Sequence, residues 1–443
     1  HHSEKPSKNN SSENANSAWI LPISGQSVDA LKNNAKALAA YLDEENSEEK
    51  LADIAYTLAE RRTHMMQRLV VNGQSAKALS QSLINYAESV PDQKIQYGVL
   101  APGADLAKLV FVFSGQGSQW WGMGQELMTN EPIFREKIVQ CDKEMRKHVN
   151  WSLLDELAAT EADSKLNETE YAQPAIFAIQ VALAALWQAW GVVPSAVTGH
   201  SVGEVSAAYV AGVISFEDAC KIIVVRAKLM QNTTGKGCMV SVESTPDALE
   251  KFIANYQDKV CLAAINGPKT CVLSGETAAL DSLIHDLELA DISCMKLKVN
   301  YAFHSYQMEE CKQLLIEQLK DIQVNSASIP LVSTVTGDWI TDINSMDAQY
   351  WGDNVRNPVL LQPAMLKLID EGYVDFIELS ELRYIKINLS KNLLAKLMGN
   401  CTYLVIVISG QKYNRKETLT QVYQIMLGII SAFGWMAHIL SKG

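Results

Sequence analysis

From Val193 to Ala219 the chain reads VPSAVTGHSVGEVSAAYVAGVISFEDA, a short strand-like run that turns directly into a helix-like one. Ser201 stands at that turn, with Gly199 and Gly203 two positions away on either side. Glycines remove side chains that would collide at a sharp strand-to-helix bend. A serine held there sits at the helix N-terminus, where free N–H groups and the helix dipole favour developing negative charge. The stretch predicts a parallel α/β sheet, because that architecture alternates strands with helices. Alone, the motif admits two readings: a presented nucleophile, or a serine N-cap with flanking glycines. Partners elsewhere in the chain must decide between them.

The 443 residues correspond to two to four folding units at about 100–200 residues each. Residues 1–17, HHSEKPSKNNSSENANS, read as a tag remnant and disordered polar tether without a signal-peptide apolar core. Residues 18–107 read as a small α+β domain: a short strand, a helix with Ser27 at its N-cap, a second helix, and a strand ending at Asn72-Gly73. From Lys108 the character changes, with the strand KLVFVF running into a glycine-rich turn. Residues 108–237 and 300–400 read as a large α/β-hydrolase-like subdomain with a parallel sheet. Residues 238–299 follow the order β-α-β-β-α-β, which predicts an inserted ferredoxin-like subdomain. Residues 401–443 form a tail.

Three features bear on Ser201. The strand that stops in Gly115-Gln-Gly-Ser-Gln119 leaves backbone amides open to a ligand, which suits half of an oxyanion hole; a plain glycine-rich loop is the bland reading. Arg226 lies within the apolar run Ile222 to Val225, where burial without an anion is costly. It is either half of an internal salt bridge or a fork for a substrate carboxylate. His304, at the turn where the chain leaves the predicted insert, is the candidate base for a serine nucleophile. His200 is its rival, but as the residue preceding the elbow serine it is expected to point the other way. His64, His148, His285 and His438 carry no motif and read as surface or packing histidines.

Net charge −12 argues against a nucleic-acid partner and means that an anionic substrate needs a locally placed cation. The eight cysteines show no CxxC spacing, which predicts reduced thiols, a cytoplasmic setting and no zinc site. No uninterrupted apolar run approaches the roughly 18–20 residues that span a bilayer, so no membrane partner is expected.

Together, Gly-Gln-Gly-Ser-Gln (115–119), Gly-His-Ser-Val-Gly-Glu (199–204), Arg226 and Tyr-Ala-Phe-His (301–304) resemble the acyltransferase domain of modular type I polyketide synthases. That family shares its fold with malonyl-CoA:acyl-carrier-protein transacylases. The resemblance covers roughly residues 18 to 380. It implies that 18–107 is the ketosynthase-to-acyltransferase linker domain, that the tail begins the post-acyltransferase linker, and that the chain is cut from a larger multienzyme. It further implies Ser201 as nucleophile, His304 as general base, and the backbone amides of Gln116 and Val202 as oxyanion hole. Asn357 in DNVRNPVLL would supply the carbonyl that orients His304, held extended by Pro358. Arg226 would pair with the extender carboxylate, and Gln173, Tyr301 and Phe303 would line the substrate site.

The implied reaction is ping-pong transfer of an acyl group from CoA through an acyl-serine to the phosphopantetheine thiol of an acyl carrier protein, with no cofactor. The implied partners are malonyl-CoA, the carrier protein and the ketosynthase of the same synthase. Glu168-Thr-Glu-Tyr-Ala-Gln173, Val202 and Phe303 resemble malonyl-selective members, whereas Tyr301 resembles methylmalonyl-selective ones. Malonyl preference is expected, with a methylmalonyl-selective or mixed enzyme as the alternative. A serine hydrolase or esterase, and a degenerate non-catalytic module, are the readings from other classes. One departure stands out: the family's Gly-Pro-His-Pro turn after FIEL is replaced by SELRYIKINLSKNLL.

Overall fold

Leu109–Phe113 is buried at all five positions, as a strand covered on both faces requires. In the computed structural model, which describes residues 19–380 except 93, 100–107, 343–344 and 374, this strand lies inside a four-stranded sheet. The strand order is Leu331–Val332, Ala196–Gly199, Leu109–Phe113, Asp375–Leu379, and every neighbouring pair is parallel. Phe113 pairs with Gly199 on one side and Leu379 on the other, so the glycine-rich turn and the serine elbow emerge at the same carboxyl edge. In open parallel sheets that edge is where ligands bind. The assembly is thus the expected α/β class.

Thr169–Ala189 runs through the interior with nearly every side chain buried. It is long and apolar enough to cross a bilayer, yet 83% of its most apolar stretch is buried in protein, which makes it a core helix. The helix Phe216–Gln231 packs beside it and opens on Ser215, whose Oγ accepts from the Asp218 amide at 3.0 Å.

Between Cys238 and Lys296 the order strand, helix, strand, strand, helix, strand builds an antiparallel sheet arranged Val260–Gly267, Thr270–Gly275, Cys238–Val242, Cys294–Lys296. This is the ferredoxin-like topology. Helices Pro246–Ile253 and Thr277–Leu289 cover one face through Leu249, Leu280, Leu283 and Leu287. On the other side Ala263, Ala264 and Val272 share a core with Val110, Val112, Val359 and Leu368. The backbone joins them too: Ile265 donates to Val359 O at 2.8 Å and Val359 to Ala263 O at 2.9 Å.

The described residues between 19 and 99 form a separate compact unit. Its antiparallel sheet runs Trp19–Gly25, Gln67–Gly73, Ile95–Val99, with helices Val28–Leu42, Leu51–Glu60 and Ala76–Ala87. Ser27 and Ser75 cap two of these helices by accepting from Ala30 N and Ala78 N. Leu21, Leu31, Leu51, Leu69 and Leu79 are wholly inaccessible in its core. The third helix and third strand were not anticipated from the sequence. The tether 1–17, the tail 401–443 and all but Ser380 of the departing stretch SELRYIKINLSKNLL lie outside the described residues.

Candidate active site

Ser201 has φ +53, a left-handed conformation that non-glycine residues adopt at a cost of about 1–3 kcal/mol. Its glycine neighbours make the bend possible. A Cβ at Gly199 would lie 2.4 Å from Gly203 O, and one at Gly203 would lie 2.2 Å from Phe113 O. Gly203 N donates to His200 O at 2.9 Å and Glu204 N to Ser201 O at 3.0 Å, closing the turn. The helix Gly203–Val210 begins after Val202 and has no side-chain cap. Ser201 therefore does not serve as an N-cap; its hydroxyl faces His304 and Arg226 instead.

There Ser201 Oγ lies 2.8 Å from His304 Nε2. His304 Nδ1 lies 2.9 Å from the carbonyl oxygen of Asn357. A carbonyl only accepts, so Nδ1 carries the ring proton and Nε2 offers a lone pair to the serine. Asn357 has ψ 160, the extended form imposed by Pro358. Its segment is held on both sides, by Asn357 N donating to Asp353 O and Val359 N donating to Ala263 O. Burial, then the charge of Arg226, then His200, depress the His304 imidazole to about 3. His200 faces elsewhere: its Nε2 lies 3.0 Å from Asn266 Oδ1, and burial lowers it to about 4.

Arg226 is completely buried. Its Nη2 donates to Ser201 Oγ at 2.9 Å, its Nη1 to Gln173 Oε1 at 2.7 Å, and Nε and Nη2 to Asn354 Oδ1 at 3.3 and 3.2 Å. These partners are neutral, and Arg226 forms no ion pair among the described residues. Among the described residues Arg226 is therefore not half of an internal salt bridge. Burial lowers the guanidinium to about 10, which leaves it charged at neutral pH.

Gln173 Nε2 reaches Gln116 Oε1 at 3.0 Å, and Gln116 Nε2 reaches Tyr301 OH at 3.4 Å. Tyr301 and Phe303 stack face to face, with ring centroids 3.8 Å apart and planes 11° from parallel. The backbone amides of Gln116 and Val202 find no acceptor among the described residues. Ser201, His304, Asn357, Arg226, Gln173, Gln116, Tyr301 and Phe303 are thus linked by a continuous set of direct contacts.

Two further residues enter the site that the sequence did not single out. Asn354 Nδ2 donates to Glu204 Oε2 at 2.7 Å and to Ser201 O at 3.2 Å. Glu204, with no exposed surface, also accepts from Thr334 N at 2.5 Å and Tyr350 OH at 3.0 Å. A signal was available. Asn354 lies three residues before Asn357 at the end of the helix Ala348–Arg356, and Glu204 three residues after Ser201.

Residues 110–428 match the family model described as acyl transferase domain. The chain belongs to the acyl transferase domain family. Residues 19–83 of this acyl transferase also match a C-terminal domain of CurL-like polyketide synthases. It is 35% identical over 378 residues to erythronolide synthase EryA2 of Saccharopolyspora erythraea, covering 85% of this chain and 10% of that protein. It is 37% identical over 362 residues to mycoketide-CoA synthase of Mycobacterium tuberculosis, covering 82% of this chain and 8% of that one. The acyl transferase therefore spans at most about a tenth of the length of these synthases.

Among solved structures, the acyltransferase domain from module 8 of the salinomycin polyketide synthase superposes with TM-score 0.83 at 32% identity, over 95% of this chain and 96% of that one. MCAT from Streptococcus pneumoniae matches with TM-score 0.62 at 27% identity, over 72% of this chain and 99% of that one. The protein is an acyltransferase of the polyketide synthase type.

Proposed function

We propose that this acyltransferase loads a malonyl extender unit from CoA onto Ser201 and passes it to the phosphopantetheine thiol of an acyl carrier protein. One observation carries the reading: Ser201 Oγ lies 2.8 Å from a neutral imidazole and 2.9 Å from a buried guanidinium that is bonded directly to no protein acid among the described residues. A hydrolase of uncharged esters has no use for that cation. A dicarboxylic thioester does, because its free carboxylate supplies a directly bonded partner for the guanidinium.

The Ser201 proton moves to His304 Nε2 as Oγ attacks the thioester carbonyl. The carbonyl oxygen becomes an oxyanion facing the amides of Gln116 and Val202. The intermediate collapses by expelling the CoA thiolate, which takes the proton from His304 and leaves as CoA-SH. The carrier thiol then gives its proton to His304, attacks the acyl-serine and releases Ser201. Arg226, held by Gln173 and Asn354, grips the malonyl carboxylate throughout. The stacked pair Tyr301–Phe303 supports malonyl selectivity, since a ring fixed face to face yields little room to an α-methyl group. One methyl in a pocket discriminates by about 1–3 kcal/mol, roughly 10–200-fold.

The test is intact-mass analysis after incubation with malonyl-CoA and methylmalonyl-CoA in competition. The reading predicts a predominant adduct about 86 Da heavier, one malonyl group on one serine, and none in Ser201→Ala. Faster loading of methylmalonyl would refute the malonyl preference; an adduct in Ser201→Ala would refute the nucleophile.

A further inference from the structure

Arg226 presents an unusual problem: a fully buried cation that must stay charged yet keep part of its fork open for a ligand. A carboxylate bonded directly to it would relieve the burial cost and also occupy the site. Here an acid, Glu204, stands one side chain further back. Asn354 lies between Glu204 and Arg226, its Nδ2 bonded to Glu204 Oε2 at 2.7 Å and its Oδ1 to Arg226 at 3.2 and 3.3 Å. The contacts admit only one orientation of this amide. Glu204 Oε2 and Ser201 O are both acceptors and fix the Nδ2 end; Nε and Nη2 of Arg226 are donors and fix the oxygen end.

We infer that Glu204 and Asn354 are positioning residues for Arg226: Glu204 supplies the counter-charge at one remove and, by dictating which way the Asn354 amide faces, aims the guanidinium at the substrate carboxylate. The network behind Glu204 serves the same end. Ser333 Oγ accepts from the amides of Val335 and Thr336, so its own proton goes to Tyr350 OH, 2.7 Å away. Tyr350 in turn directs its proton to Glu204 Oε1. Thr334 N supplies the second donor to that oxygen from fixed backbone. Burial raises the Glu204 carboxyl above its ordinary value, and every neighbour in this network opposes that shift by donating to it.

Two substitutions follow. In Glu204→Gln a single amide oxygen must still meet the Thr334 amide, which cannot turn, so the new NH2 faces Asn354. Asn354 then flips and presents its own NH2 to Arg226, displacing the fork. In Asn354→Asp a carboxylate lies directly on Nε and Nη2 and competes with the substrate for the guanidinium. This rests on the reading of Arg226 as the carboxylate site, so Arg226→Ala serves as control.

The experiment measures initial rates of acyl-enzyme formation by intact mass for wild type, Glu204→Gln, Asn354→Asp and Arg226→Ala, with malonyl-CoA and with acetyl-CoA. The expected result is a malonyl-to-acetyl ratio at least tenfold lower than wild type in all three variants. If Arg226→Ala loses the ratio while the other two keep it, the positioning role is overturned and the Arg226 reading stands. A fall in both rates at constant ratio in Glu204→Gln and Asn354→Asp shows a merely structural role and also overturns it. If Arg226→Ala keeps the ratio, the reading of Arg226 fails and the inference with it. Should Glu204→Gln not fold, the Asn354→Asp ratio alone decides.

Discussion

In the proposed reaction the His304 imidazole accepts a proton from serine while buried beside a guanidinium. Burial and Arg226 depress it to about 3, well below the ordinary value of 6.5. The sign follows directly: a depressed basic group stays neutral, and hence able to act as base, down to far lower pH than a free histidine. Acylation kcat/KM, which reports the free enzyme, is therefore expected to show no acid limb near pH 6.5 between pH 7.5 and 5.5. A midpoint near 6.5 would contradict this. Ser201, His304 and Arg226 were legible in the sequence because each is an expensive residue in its setting: a serine at a forced bend, a histidine at a turn, a cation in an apolar run. Asn354 and Glu204 were not. Their importance lies in whom they touch, and those contacts cross about 150 residues of chain.

The strand–turn–helix around Ser201 works as a unit, and its glycines test it. A methyl at position 203 would overlap Phe113 O at 2.2 Å, so Gly203→Ala must separate the elbow helix from the strand Leu109–Phe113. We expect destabilisation of about 1–3 kcal/mol or more, seen as a lower midpoint in denaturant, together with loss of the acyl adduct. A variant that loads at the wild-type rate would show that the bend is not needed. This element was readable because its constraints are local. The third helix and strand of the N-terminal unit were not, for physical reasons. Ala76–Ala87 buries Ser80 and Ser82, which blurs its apolar period, and Ile95–Val99 is a largely uncovered edge strand without clean alternation.

Across the whole molecule the site is assembled from distant segments: the glycine-rich turn, the elbow, the helix Phe216–Gln231, the turn after the insert and the segment at Asn357. The interrupted large subdomain could be inferred because the insert has its own strand–helix rhythm. The way the insert pins Val359, and through it the Asn357 segment, is a tertiary fact with no sequence periodicity behind it. Buried neutral histidines also leave a mark on global stability. His200 is depressed to about 4, so below pH 6.5 the unfolded chain binds a proton that the fold refuses, and stability is lost as pH falls. Between pH 7.5 and 5.5 the wild type should lose about 1–1.5 kcal/mol relative to His200→Gln, measured by denaturant unfolding at both pH values. Equal losses in the two proteins would contradict the assignment.

The proposed reaction depends on the Arg226 guanidinium being held beside Ser201 for a substrate carboxylate. Truncating one partner of a buried charge pair costs about 2–5 kcal/mol. The most direct measurement is therefore the rate of Ser201 acylation in Arg226→Ala, with malonyl-CoA against acetyl-CoA. Malonyl loading is expected to fall by about two orders of magnitude relative to acetyl loading. An unchanged ratio would contradict it.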